Sequence, residues 1–433
     1  MNSAAHFRRL LLLLAFAPLA GGVARAQVSS PLPPPKVLLT EPRPALLQFG
    51  SVDVHARAVT SFVYDDNISL HEQSGGSGGI QTGNRQPPLG DDFIYTFSPG
   101  LVLTKPTTLE DSRSRLSVEY SPAFVFFLKN DQENSIDHTA KLEAGYALTK
   151  LSVALVQDFS AQSGGVIDVG ERVSQKNYHT AVSLRYELTE KTFFQMDGSY
   201  RITDFATRTD SEEWSVTPTM NYQISPKVTL GLGVTYGQLF VAEQTPHAVI
   251  IGNTTNRFIT TQTEPQTYVG PTLRASYQTT AKTELSLSFG GEWRQYSDGS
   301  SSFGPVFSLA GTYRPFEGTS VGLEAHRRQQ NSAVLNGANF DSTGLSLSAR
   351  QRLRDRLFGT VSATFDRSDY LPAHRGVQTT RRDDYFLLRY GLEAIVGRSW
   401  TIGVFHQFRQ DVSTDKSFSF NNNQVGIQAA WGY

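Results

Sequence analysis

The chain has no cysteine in its 433 residues, which excludes a disulfide framework, a thiolate metal site and a lipoprotein anchor. It also lacks any run of about 18 consecutive apolar residues, so no segment reads as a transmembrane helix. Net charge is nearly absent: 39 basic against 40 acidic residues give −1 at pH 7. Without a basic excess, nucleic acid is not an expected partner. Mean hydropathy is negative, as for a soluble protein. A barrel with a polar bore, however, averages its lipid face against its interior, so hydropathy does not exclude a membrane. No cofactor motif or metal-ligand spacing is present.

What is present begins with a leader. Arg8 and Arg9 precede the apolar run Leu10 to Ala17, and Ala24-Arg25-Ala26 offers a small-x-small cleavage site. Residues 1–26 are therefore expected to be a signal peptide cleaved near Ala26. Residues 27–50 hold Pro31, Pro33, Pro34, Pro35, Pro42 and Pro44 and read as an extended periplasmic linker. From 51 to 433 the composition is uniform, and one domain is expected.

That domain repeats a phrase in which a tyrosine closes one alternating run and a short polar turn opens the next. It occurs as Tyr146-Ala-Leu-Thr-Lys150, Tyr186-Glu-Leu-Thr-Glu-Lys191, Tyr222-Gln-Ile-Ser-Pro-Lys227, Tyr277-Gln-Thr-Thr-Ala-Lys282 and Tyr313-Arg-Pro-Phe-Glu-Gly318. Between the turns, hydrophobicity has a period of two. Leu285, Leu287, Phe289 and Trp293 share one face of Glu284 to Arg294, while Glu284, Ser286, Ser288, Glu292 and Arg294 share the other. Such runs are half-buried strands, not helices. The pattern predicts about 18 strands, with 16 the alternative count, running from 52–65 to 421–433 and including 151–161, 177–188, 228–241 and 266–278.

Short turns alternate with longer polar stretches at 66–92, 162–176, 242–265 and 371–382. Outer-membrane barrels place short turns in the periplasm and long loops outside. The fold class expected is thus all-β, a transmembrane antiparallel up-and-down barrel. Tyr146, Tyr186, Tyr222, Tyr277 and Tyr313 then form an aromatic girdle at the periplasmic face. A secreted soluble β-sandwich is the competing reading, but it explains neither the even strand count nor the girdle. The final run alternates Val425, Ile427, Ala429, Trp431 and Tyr433. Its terminal aromatics Trp431 and Tyr433 resemble the signal that bacterial outer-membrane proteins present to the barrel-assembly machinery.

Several stretches are similar to the β-barrel porin 2 family of Gram-negative outer-membrane proteins. They are Phe62-Val-Tyr-Asp-Asp-Asn-Ile68, Ser98-Pro-Gly-Leu101, Leu116-Ser-Val-Glu-Tyr-Ser-Pro122, Asp137-His138 and Ala147-Leu-Thr-Lys-Leu-Ser-Val-Ala-Leu155. The resemblance covers most of the domain. It implies residence in the cell outer membrane among lipid and lipopolysaccharide, and a channel or export role. Some members resemble proteins found alongside exopolysaccharide production, which implies polysaccharide-export components as partners.

A charge facing lipid at the midplane costs about 2–4 kcal/mol, so the face that collects the charges is the bore. Among its residues, Glu292, Arg294, Glu324, His326, Arg350, Arg352, Asp366 and Arg389 are the candidates for a lumen constriction. Arg350 and Arg352 beside His326 would make a basic patch preferring anions. The bland alternative is a salt-bridged wall that stiffens the barrel. Tyr268, Tyr296 and Tyr385 would offer stacking surfaces to sugar rings, or equally serve in a girdle or as packing. Asp65-Asp66-Asn67 suits a turn with side-chain-to-backbone bonds better than calcium, since no loop of ligand spacing follows. Ser74 to Gly79 lacks the lysine of a phosphate loop. His138 and His179 each precede a threonine, but no nucleophile motif accompanies them, so catalysis is not expected. The expected function is a porin-like channel for small hydrophilic solutes such as saccharides. The alternative is a non-conducting barrel accessory to exopolysaccharide export. Both an open and a plugged bore satisfy the pattern.

Overall fold

Strands with one apolar face cannot stand alone, because every unpaired edge exposes a row of backbone donors and acceptors. Closing the sheet on itself removes the edges. The computed structural model of the chain describes residues 28–29, 45–70, 89–105, 113–251, 254–280, 282–334, 339–371 and 381–432. The leader, most of the proline-rich segment and Tyr433 lie outside the described residues.

Of twenty strands in one sheet, two are short. Leu47–Phe49 pairs with the start of the first long strand, and Val28–Ser29 with Val166 and Gly165. The other eighteen are β1 (Val52–Asp65), β2 (Asp92–Lys105), β3 (Ser114–Phe127), β4 (Ser135–Ala147), β5 (Leu151–Val166), β6 (Glu171–Glu187), β7 (Thr192–Phe205), β8 (Ser211–Ser225) and β9 (Val228–Ile251). They continue as β10 (Thr254–Thr280), β11 (Thr283–Gln295), β12 (Ser301–Tyr313), β13 (Thr319–Asn331), β14 (Asn339–Arg354), β15 (Leu357–Tyr370), β16 (Arg382–Val396), β17 (Trp400–Ser413) and β18 (Phe420–Gly432). Each pairs antiparallel with the next. β18 returns to β1, with Gln424 opposite Asp65 and Gly432 opposite Arg57. The barrel is closed.

Two stretches expected as loops are strand. Residues 162–166 and 171–176 extend β5 and β6, leaving only Ile167 to Gly170 as their connection. Residues 242–251 and 254–265 extend β9 and β10 into a ribbon that overshoots β8 and β11. Their Gly, Ser and Thr content resembles loop composition, but antiparallel pairing satisfies their backbones residue by residue.

Register fixes which side chains look out. Outward positions include Leu232, Phe289, Val404, Val425 and Ile427, all strongly exposed apolar residues. They form the band that a bilayer would solvate. Inward positions carry the charges, and their exposure varies along the bore. At the end with the short connections, here the turn end, the inward Lys141, Glu143, Arg185 and Glu187 are 45, 47, 44 and 52% exposed. At the opposite end, the mouth, the inward Asn422, Asp411, Asp383 and Asn339 are 0, 1, 2 and 2% exposed. Charged side chains at the turn end thus stand open to the bore, although the inward Phe193, Asn221, Phe358 and Ala430 there are buried, and the inward polar side chains at the mouth are closed off.

Candidate gate and lumen

The seal is built by the β5–β6 hairpin, which leaves the wall and crosses the mouth. Its tip meets residues on the far side of the strand order. Asp168 accepts from Ala333 N at 2.6 Å, from Ser332 Oγ at 3.1 Å and from the Tyr370 hydroxyl. Arg381 Nη2 donates to the Asp168 carbonyl at 3.0 Å. The guanidinium is sandwiched by Tyr370 (4.4 Å) and Phe418 (3.5 Å), and Asp383 anchors it through two bonds. Gly170 turns the chain at φ +66, and a Cβ there would meet Phe418 Cδ1 at 3.0 Å. Glycine is suited to both the left-handed backbone and the close approach.

Apolar contacts lock the tip. Ile167 packs with Leu70, Tyr385 and Phe420, and Val166, Val169 and Val173 pack with Ala333. The β7–β8 connection joins them, as Thr209 N donates to Ala333 O at 3.1 Å. Beside it, burial raises the Asp210 carboxyl above its ordinary range, against the bond from Phe205 N. Under the first loop, Asn67 N donates to Asp65 Oδ1 at 2.9 Å, the side-chain turn expected of Asp65-Asp66-Asn67. Asn422 ties this turn to β18 through bonds to Asp65 Oδ1 (2.5 Å) and to the Asn67 carbonyl (3.3 Å), while accepting from Arg409 Nε (2.8 Å).

The register turns all eight constriction candidates inward but does not bring them together. Arg294 is bonded to Glu292 at 2.8 Å and lies over Tyr268. His326 faces Asp366 at 3.3 Å. Glu324 is exposed to the bore. Arg389 lies 4.4 Å over Phe405 and makes no ion pair among the described residues. The expected basic patch does not form. His326 is opposite Gly344 on β14, six residues from Arg350, or roughly 20 Å along the strand. Arg350 is instead paired with Glu393 at 3.4 Å and stacked on Phe358, and Arg352 faces Glu317 at 3.7 Å. Sharing a face does not mean sharing a height.

The three tyrosines named as sugar-stacking surfaces are occupied. Tyr268, Tyr296 and Tyr385 are 6, 5 and 5% exposed. The Tyr268 hydroxyl donates to Glu213 and that of Tyr296 meets Ser302, while Tyr385 sits in the apolar lock. They pack; they do not line open bore. Arg274 reaches Asp197, and Ser183 and Gln195 donate to the same carboxylate. His179 faces Asp158 at 3.5 Å, and the outward Tyr120 hydroxyl meets His138 Nδ1 at 2.9 Å.

The girdle tyrosines Tyr146, Tyr186, Tyr222, Tyr277 and Tyr313 all point outward at the turn end and are 41–50% exposed. Trp431, opposite Trp400, joins their end of the wall. A second belt, not anticipated, lies nearer the mouth as cross-strand pairs. Trp214 meets Tyr236 at 5.6 Å, Trp293 meets Phe303 at 4.5 Å and Phe159 meets Tyr178 at 4.9 Å. Its signal was available: Tyr178 precedes Tyr186, and Trp214 precedes Tyr222, by eight residues. That is roughly 26 Å along a strand, comparable with an apolar band about 25 Å tall.

The chain is similar in structure to other large β-barrels. The ferric citrate transporter FecA aligns over 88% of this chain and 79% of its own, at 8% identity and a TM-score of 0.45. Pseudomonas aeruginosa OpdQ aligns over 88% and 97%, at 9% identity and a TM-score of 0.42. Acinetobacter baumannii OccAB3 aligns over 88% and 100%, at 8% identity and a TM-score of 0.42. At these values the likeness is one of barrel to barrel. No family model and no curated protein matches the chain.

Proposed function

We propose that the chain is an outer-membrane channel for small hydrophilic solutes, entered from the periplasm through the turn-end vestibule and gated outside by the β5–β6 hairpin. The observation that carries this reading is the asymmetry of the bore. The β5–β6 hairpin and its contacts lie across the mouth, while charged inward side chains such as Arg185 and Glu187 stand open at the turn end. Eighteen strands enclose a lumen wide enough for water unless something fills it. Saccharides fit the reading as uncharged polar solutes, and lipopolysaccharide and outer-membrane lipid would surround the apolar band.

The sealed mouth also favours a second reading, a barrel that conducts nothing until a partner, such as a polysaccharide-export component, displaces the hairpin. Single-channel recording of the refolded barrel in a planar bilayer separates the two. Steps of porin size support the channel. A folded barrel that stays silent, with voltage and with the hairpin unlatched by substitution at Asp168, removes it.

A further inference from the structure

The apolar lock at the hairpin tip encloses a carboxyl group. Asp411 of β17 points inward, opposite Tyr385 on β16 and Phe420 on β18. Those two rings pack with Ile167 of the tip and Leu70 of the first loop, so the lock flanks Asp411 on both sides. Asp411 is 1% exposed, and neither of its carboxylate oxygens has a hydrogen-bond partner among the described residues. At this height the wall has left the apolar band: Asp384, opposite Val412, faces outward and pairs with Arg367 at 2.6 Å.

The charged groups around Asp411 are committed to other partners. One diagonal step away on β16, Asp383 is held by Arg381 at 2.6 Å, and Arg381 also donates to the Asp168 carbonyl. The diagonal neighbour on β18 is Asn422, which accepts from Arg409 of β17 and donates to Asp65. The hairpin brings Asp168, Glu171 and Arg172, bonded in turn to the Ala333 amide, Arg208 and Glu133. Just past β17, Asp415 accepts from Ser417 N at 3.1 Å, and Lys416 is exposed. Asp383 and Asp384 oppose a charge on Asp411, and Arg381 favours it.

A buried carboxylate without a hydrogen bond is costly, and the neutral acid is tolerated far better. The closed mouth therefore favours the protonated form of Asp411. With the hairpin released, the same group meets water and ionises as an ordinary carboxyl does.

We propose that Asp411 is a proton switch for the mouth: protonated, it is compatible with the apolar lock, and its ionisation drives the β5–β6 hairpin off. This rests on the reading of that hairpin as a gate and adds what regulates it. By linkage, closure is strongest in acid, below the ordinary carboxylate range, and weakens as pH rises above that range. Each pH unit multiplies the open-to-closed ratio by about ten, until the enclosed carboxyl itself ionises.

The chain has no cysteine, so a single introduced thiol reports on the tip. Val169→Cys places one where the native side chain is 4% exposed. Its labelling by a maleimide is timed in the full barrel, refolded in detergent micelles. Each rate is divided by that of Val169→Cys combined with Asp411→Asn at the same pH, which cancels the chemistry of the thiol. The ratio should rise about tenfold or more between about pH 5 and about pH 8. If Asp411→Asn fails to fold, Asp411→Leu supplies the reference with an apolar side chain in the lock. A flat or falling ratio overturns the switch. Bilayer recording over the same pH range separates it from the channel reading. A rising ratio in a barrel that never conducts keeps the switch and sinks the channel; conductance with a flat ratio does the reverse.

Discussion

Arg381 and Asp168 belong to opposite sides of the strand order, yet Arg381 Nη2 donates to the Asp168 carbonyl at 3.0 Å. Asp168 is also the acceptor for Tyr370, Ser332 and Ala333. One carboxylate thus holds a hairpin tip across the whole mouth.

Replacing Asp168 by alanine leaves the Tyr370 hydroxyl and the Ala333 amide without this acceptor. Each buried group so stranded costs about 1–3 kcal/mol, enough to favour the hairpin's release over its closed position. The expected outcome is larger or more frequent conductance steps in bilayers, with the barrel still folded. Unaltered recordings would mean that Asp168 does not latch the mouth.

Arg389 has no ion pair among the described residues, whereas Arg350 is neutralised by Glu393 at 3.4 Å. Arg389→Gln should therefore move the reversal potential in a salt gradient toward cation preference, and by more than Arg350→Gln does. Equal shifts, or a larger one for Arg350, would place the selective charge elsewhere.

Leu232 is outward, 69% exposed and set between the two aromatic belts. Leu232→Arg should destabilise the barrel by about 2–4 kcal/mol in lipid, read as a lower denaturant midpoint for unfolding from bilayers. Ser346→Arg, on a bore-facing position, should cost far less. Similar losses for both would contradict the assignment of faces.

Asn422 is fully buried and links Arg409 to the Asp65–Asn67 turn. Asn422→Ala should destabilise by about 1–3 kcal/mol through the partners it abandons. It should also speed proteolysis of the first loop while leaving the girdle end protected. Unchanged cleavage there would show that the turn is held by other contacts.

The strand count and the inward face were legible in the sequence because alternation is a local property. Leu285, Leu287 and Phe289 announce their side of the wall without reference to any other strand. The outward placement of Tyr146, Tyr186, Tyr222, Tyr277 and Tyr313 was legible for the same reason, since each sits beside its own turn. The gate was not. Ile167 to Gly170 sets two apolar residues in a short connection, but nothing near it in the chain points to Tyr370, 202 positions away. The misplaced basic patch failed in a related way: period two gives the face of Arg350 and His326, but their heights follow from register, which pairing alone sets.

In the proposed channel, with water filling the bore from the turn end up to the hairpin, an applied voltage would fall almost wholly across that thin closure. Charges fixed there, Asp168 and Arg381 among them, then experience most of the field, at about 2.3 kcal/mol per charge per 100 mV if fully traversed. The device is electrically lopsided, and currents through it should differ with the polarity of the membrane.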